Sequence, residues 1–463
     1  MQHLKIQADI KNKPELDPGF IPLFKFNEAF LKTAKQPFAI AIERNDGQIC
    51  VKSTFIHGDS AHEEADLYYL DRLLKFELWQ KGGFRIYIKG DKAIYEKLKK
   101  AYSPQGTRAF DSEFMGRVYN EKFEIIHSEE LPEPFEIKKP IGGYFDGCRV
   151  GVDFGGSDYK VAAVINGEVV YSNETVWNPK INNDPDYHLS NITAAMKEAA
   201  EQLPQVDAIG ISSAGLIGNN KVLYAQLYGQ VPEELYASRI RDIYAQAAGR
   251  IGKNIPFEVV NDGDVAALAG AICLNKKNLL GLALGTSYIG GFVDSFGNLS
   301  NRISELAFAP ADVSPNAAMD VWTKDIGVGV QYFCQEAVIK LAPAAGILLD
   351  EFDTPARKLK AVQNLLDKGD EKAAAIFKSI GCYLGHTIPQ YYEVYKADSY
   401  LLLGRVVSGK GGELIQETAC KVVEEEYPEL KVEILLPDEK TRRMGQSVVA
   451  ASLPDINSLH QQT

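Results

Sequence analysis

The sequence of 463 residues predicts an α/β protein of two similar lobes, preceded by a smaller α+β module. Three observations lead there. From Cys148 onward, strand-like and helix-like stretches alternate, as in a sheet flanked by helices. A glycine-turn pattern at Cys148–Tyr171 returns at Leu279–Leu299. Residues 1–140 differ in style from the rest of the chain, and Lys138-Lys139-Pro140-Ile141-Gly142-Gly143 marks the change.

In that leading module, Pro37–Ile56 reads as a hairpin turning at Asn45-Asp46-Gly47. Glu63–Gln80 has helical spacing in Leu67, Leu70, Leu74 and Leu78, and Gly82-Gly83 closes it. A strand at Phe84–Ile88 and an amphipathic helix at Asp91–Tyr102 come next. No catalytic constellation is visible there. His57 and His62 flank an acidic loop, and they are expected to be surface residues, not metal ligands.

Cys148–Tyr171 is a β-meander. Its first tip carries Asp153 and the Gly155-Gly156-Ser157 turn, and glycine turns let backbone N–H groups approach an anion. Ile181–Ser190 reads as polar loop, Ile192–Gln202 as helix and Val206–Ser212 as a buried strand ahead of a glycine-bearing loop. Glu233–Ala248 is expected to be helical. Asn261-Asp262 ends the short strand Phe257–Val260, and a helix opens after it. An N-cap is the plain structural role for such a pair. The second meander repeats a Gly-hydroxyl turn, Gly285-Thr286-Ser287, about 130 residues after the first. That interval suggests internal duplication. Further on, Ala317–Ala342, Thr354–Asp367, Glu371–Tyr395, Glu413–Glu425 and Thr441–Leu453 read as helices, and Tyr400–Leu403 and Val432–Leu436 as strands. Gly404–Gly411 imitates a P-loop, GxxxxGK, yet glycine stands where the magnesium-binding Ser or Thr is required.

Composition narrows the function classes. The net charge of −12 opposes a nucleic-acid or anionic-membrane partner. No apolar run reaches the roughly 18 residues of a membrane helix. MQHLKIQADIKNK lacks the apolar core of a signal peptide. Six scattered cysteines without a CxxC pair are expected to be free thiols in a reducing cytoplasm.

Five stretches, taken in order, resemble the ROK family of sugar kinases and sugar-responsive regulators in the actin/hexokinase superfamily. Gly151-Val152-Asp153-Phe154-Gly155-Gly156-Ser157 with Lys160 is similar to the first phosphate motif. Ile209–Gly215 resembles the sugar-loop strand, and Val260–Leu268 the V-x-N-D-x-x-A-A-x motif. Leu284–Gly291 resembles the second phosphate motif. Gly369-Asp370 through Gly404 is similar to the adenosine region. The resemblance covers residues 148–455 and implies two ribonuclease-H-like lobes. They would span 141–263 and 264–440, with a C-terminal helix 441–455 packed on the first, after an N-terminal domain 1–140.

It also implies ATP-dependent phosphorylation of a sugar hydroxyl. Asp262 would be general base, and Asn261, Glu305, Ser212 and Gly215 would bind the sugar. Gly155, Gly156, Ser157, Lys160, Gly285, Thr286, Ser287, Gly404 and Arg405 would take the nucleotide. Asp153 would hold Mg2+ through water. The expected partner is a small-molecule sugar, and a homodimer is compatible with this. Departures are equally specific. Phe308 stands where the family has a histidine, the zinc-cluster cysteines are absent so no zinc is expected, and Arg405 interrupts a glycine run. A sensing protein on a kinase-like scaffold is the alternative they leave open.

Overall fold

In the computed structural model the described residues are 2–137, 140–300, 302–438 and 445–457. Lys138-Lys139 of the expected boundary and residues 441–444 of the expected last helix lie outside them. The chain divides into two packed units. One comprises Lys138–Gly281, Gly290–Ile303 and Pro437–Thr463; the other comprises Met1–Ile137, Leu282–Ile289 and Ser304–Leu436.

The first of these units is built on a five-stranded sheet. Its order is Phe257–Asn261, Ala208–Ser213, Cys148–Phe154, Asp158–Ile165, Glu168–Val176. The first three strands run parallel, and the last three form the antiparallel meander. Val150, Val152 and Phe154 alternate onto one face, where Ile192, Met196, Tyr244 and Ala247 of the helices Pro185–Ala200 and Ile243–Ile251 complete an apolar core. The short helix Gln446–Ala451 lies on the same sheet at two glycines. A Cβ at Gly210 would sit 1.6 Å from the Ala450 carbonyl oxygen, and one at Gly151 1.8 Å from that of Ser447. Only glycine permits this approach.

Two expectations fail here. Residues 185–190 are helical, not loop: the Asp184 carboxylate accepts the Asp186 N–H at 2.9 Å, and Pro185 opens the helix. The helix expected from Glu233 is broken into Glu233–Leu235, a π-helical turn at Tyr236–Ile240, and Ile243–Ile251.

Two further four-stranded sheets follow. One has the order Ile49–Ile56, Gln36–Glu43, Arg85–Lys89, Glu124–His127; the other, Tyr288–Val293, Leu279–Leu284, Ser399–Leu403, Glu433–Leu435. The leading residues are fastened to the later ones. The N–H groups of Lys11 and Asn12 donate to Glu426 Oε1 at 2.6 and 2.7 Å, and Leu16 N–H donates to Ser379 Oγ. Helix Leu23–Leu31 packs on the long helix Glu371–Tyr395.

The helix Glu63–Lys81 buries charges as well as leucines. Arg72 reaches Asp325 at 2.9 Å, Lys75 reaches it at 3.1 Å, and Arg108 at 2.8 Å. Asp71 accepts from Arg72 and Arg108 at 2.7 and 2.6 Å, and Asp111 from Lys75 at 3.0 Å. Although burial opposes its ionisation, Arg72 and Lys75 hold the Asp325 carboxyl below its ordinary value.

Residues 317–329 are not helical as the spacing predicts. Met319 bridges to Ile326, and the Asp320 carboxylate accepts from the N–H groups of Trp322 and Thr323 and from the Thr323 hydroxyl. Aspartate turn bonds outcompete the helix there. Helix begins only with Val330–Phe333 and Gln335–Leu341. The His57 side chain is buried, not superficial, and bonds Asp66 at 2.8 Å and Thr33 at 2.8 Å. The less buried His62 pairs with Asp59.

Candidate active site

Strand register brings the candidate residues of the first unit to one edge. Ser212 is the partner of Asp153, and Ser213 the partner of Asn261, so the carboxyl ends of three parallel strands are level. Ligands of α/β sheets gather at such an edge. Ser212 Oγ donates to Asp153 Oδ1 at 2.6 Å, with both residues buried. Burial, and then the negative charge of Asp262, push the Asp153 carboxyl up to about 6 against the Ser212 bond and Lys160.

Asn261 takes the N-cap role. Its Oδ1 accepts the Gly263 N–H at 2.7 Å, while its Nδ2 donates to the Gly215 carbonyl at 2.7 Å. Asp262 is therefore the first residue of the helix Asp262–Leu274 and is not needed to cap it. Its carboxyl is raised by burial, against the Gly263 N–H that it accepts at 3.0 Å.

Two residues that motif spacing does not single out complete this edge. Asp264 is buried and raised well above the ordinary carboxylate value, by desolvation and then by Asp262. Lys180 lies against the first turn, where a Cβ at Gly156 would sit 2.7 Å from its Nζ. The acidic pair Asp262 and Asp264 could have been noticed at i, i+2. Lys180 has no such signal, because it sits in the irregular turn Pro179–Ile181.

At the Gly155-Gly156-Ser157 turn, the Gly155 N–H closes the hairpin onto Asp158 at 3.0 Å, and Trp177 Nε1 donates to the Gly155 carbonyl at 2.9 Å. The Gly156 and Ser157 N–H groups have no protein acceptor among the described residues. Ser157 Oγ donates to Asp158, which pairs with Lys160 at 3.6 Å. Such a turn offers donors to an anion. Asp153 supplies one buried carboxylate, which suits a cation that keeps most of its water, as Mg2+ does. Among the described residues, no group of three or more His, Cys, Asp or Glu is arranged to hold a metal directly.

The other candidates lie in the second unit. The Gly285 N–H donates to Ser287 O at 3.0 Å, a closure one residue shorter than that of the first turn, and Thr286 and Ser287 are exposed. Gly404 has φ +96°, and a Cβ there would sit 2.4 Å from the Leu284 carbonyl oxygen. Arg405 is exposed, with its carbonyl accepting from Gln363 Nε2 at 2.8 Å. Lys410 opens the next helix and donates to the Asp367 carbonyl at 3.1 Å. Glu305 is half-buried and precedes the 3-10 turn Leu306–Phe308. The Phe308 ring lies 4.8 Å from Trp79 and 5.6 Å from Phe110.

No protein-family model matches this chain, and no curated protein does. Solved structures do. A ROK family transcriptional regulator, described as a homologue of the E. coli MLC protein, is 17% identical with a TM-score of 0.52; the match covers 66% of this chain and 78% of that one. A ROK hexokinase from Thermus thermophilus is 16% identical with a TM-score of 0.50, over 68% of this chain and 99% of that one. The chain therefore has the mixed α/β fold that these ROK proteins share.

Proposed function

We propose that the chain is a ROK-family sugar kinase that phosphorylates a hydroxyl of a hexose or hexose derivative with ATP. The observation that carries this is the edge made by Asp153, Ser212, Asn261 and Asp262. It joins a buried and a half-buried carboxylate, both raised chiefly by desolvation, to a turn whose Gly156 and Ser157 N–H groups have no protein acceptor among the described residues. Phosphoryl transfer asks a protein for positioning and charge neutralisation above all. MgATP, when bound, supplies the phosphoryl group and the cation that neutralises its charge.

Asp262 accepts the proton of the attacking hydroxyl, and its raised affinity for protons suits a base. Asn261, Glu305, Ser212 and Gly215 orient the sugar. Asp153 would hold the Mg2+ through water. The N–H groups of Gly156 and Ser157 and the Lys160 ammonium would donate to the phosphates, as would Thr286 and Ser287; Gly155 and Gly285 would shape the two turns, and Gly404 and Arg405 would meet the adenosine.

The test is ADP release from purified protein with MgATP and a panel of hexoses, amino sugars and N-acetylhexosamines. Turnover of at least one sugar, lost in Asp262→Asn, is the expected result. A second reading is a sensor that binds sugar without phosphorylating it. The fold likeness extends to a transcriptional regulator, and Phe308 stands where the family's motif has a histidine, which supports that reading. Sugar binding by calorimetry without ADP release would favour it.

A further inference from the structure

Glu305 is bracketed by two residues that one helix end holds. On its N-terminal side, the Ser304 N–H donates to the Gln80 carbonyl at 3.0 Å. Ser304 Oγ shares a hydrogen bond with the Tyr395 hydroxyl at 2.9 Å, and that hydroxyl donates to Gln80 Oε1 at 2.5 Å. Three hydrogen bonds thus close a loop around Ser304, which has φ +41°, a conformation that a non-glycine residue keeps only when its surroundings impose it.

On the C-terminal side, Phe308 packs on Trp79. The Trp79 ring is fully buried, and its Nε1 donates to Asp111 at 2.7 Å. Leu306 and Ala307, between the two anchors, are buried. Arg72, Lys75 and Trp79 succeed one another at helical i, i+3, i+7 spacing, so a single face of Glu63–Lys81 holds both Asp325 and Phe308. Residues 304–325 are pinned at each end by that helix.

We propose that the end of this helix fixes where Glu305 meets the sugar, with Trp79 and Gln80 as positioning residues. The leading module is then part of the sugar site's specificity. This rests on Glu305 being a sugar contact, as in the kinase reading. A side chain displaced by about 1 Å loses much of its contribution, so the effect falls on the sugar and not on the nucleotide.

Trp79→Leu is expected to raise the sugar KM about tenfold or more, with the KM for ATP unchanged. Trp79→Phe, which keeps an aromatic partner for Phe308, restores it. Tyr395→Phe removes the hydroxyl shared by Gln80 and Ser304 and raises the sugar KM by a smaller factor. Thr54→Val breaks a buried bond to Tyr69 near the other end of the same helix. It should lower Tm and leave the sugar KM alone, so that general loosening is distinguished from positioning. An unchanged sugar KM in folded Trp79→Leu and Tyr395→Phe overturns the proposal, and Tyr395→Phe decides alone if Trp79→Leu does not fold. Hydrogen exchange of the Ser304–Ala309 amides is the second readout. If the wild-type chain phosphorylates no sugar, the kinase reading fails by itself. Faster exchange there in Tyr395→Phe would then still support the clamp, and unchanged exchange would overturn it.

Discussion

Asp325 and the carboxylates at the strand edge, Asp153, Asp262 and Asp264, are solvated in opposite ways. Asp325 sits among Arg72, Lys75 and Arg108, each within about 3 Å, and its carboxyl is held below the ordinary range. Among the described residues none of Asp153, Asp262 and Asp264 makes an ion pair, although Lys160 acts on Asp153 from a distance, and all three are raised, chiefly by burial. Burying a charge is costly unless a partner offsets it. Asp325 has found its partners within the chain, so its role is architectural. The other three retain an unmet demand for positive charge or a proton, which marks where a ligand belongs. Asp312 shows that a raised value alone is no mark of a site. Burial lifts it to about 6, yet it accepts from the N–H groups of Ile21 and Ser314 and from the Tyr332 hydroxyl.

The contrast can be broken by substitution. Asp262→Asn is expected to lower kcat by about 10²–10⁴-fold with nucleotide affinity and Tm preserved, measured by steady-state kinetics and nucleotide titration. Unchanged kcat would remove Asp262 from the role of base. Asp325→Asn should do the reverse. It leaves Arg72 and Arg108 with Asp71 alone and Lys75 with Asp111 alone, and lowers stability in denaturant unfolding by up to the roughly 3–5 kcal/mol of a fully broken buried pair.

A third expectation concerns pH. Asp312 titrates near 6 in the folded chain against 3.8 when free, so its share of stability is complete below pH 3.8 and is lost as pH rises through 6. That difference corresponds to about 3 kcal/mol. Between pH 4 and 7, Asp312→Asn should therefore gain stability relative to wild type. Asp325, being lowered, behaves oppositely: its contribution is present above pH 3.8 and fades as pH falls below that. A flat difference curve for Asp312→Asn would show that its three donors, not burial, govern it. The smallest effect is expected from Lys180→Ala, which removes an exposed cation beside the first turn. It should raise the KM for ATP several-fold, equivalent to about 1 kcal/mol or less.

How far these features can be read in the sequence depends on how local their causes are. The first meander and the helix Glu371–Tyr395 occupy the stretches that hydrophobic period and turn residues indicate. Asp153 and Ser212 can each be named from a motif, but their bond depends on parallel register. Asn261 and Asp262 look interchangeable as caps, and geometry alone assigns the cap to Asn261. Ala317 and Ala318 suggest a helix, which the Asp320 turn bonds override. Arg72 and Lys75 look like solvent-facing charges because their partner lies some 250 positions away. The same distance hides Trp79 beneath Phe308. Ile181–Ser190 misleads for a local reason: Asp184-Pro185 is a legible helix start, yet polar residues around it resemble loop.

The fastening of Lys11 and Asn12 to Glu426 spans 415 and 414 positions of chain. During synthesis at about 5–20 residues per second, Lys11 and Asn12 must wait some tens of seconds for the acceptor that holds them. Contacts of such separation close late and slow folding. Until the helix Lys410–Glu426 emerges, Phe24 lacks its final setting beside Val422 and Tyr427 and is a natural target for chaperones. The segment around Lys11 is therefore made early and fastened late.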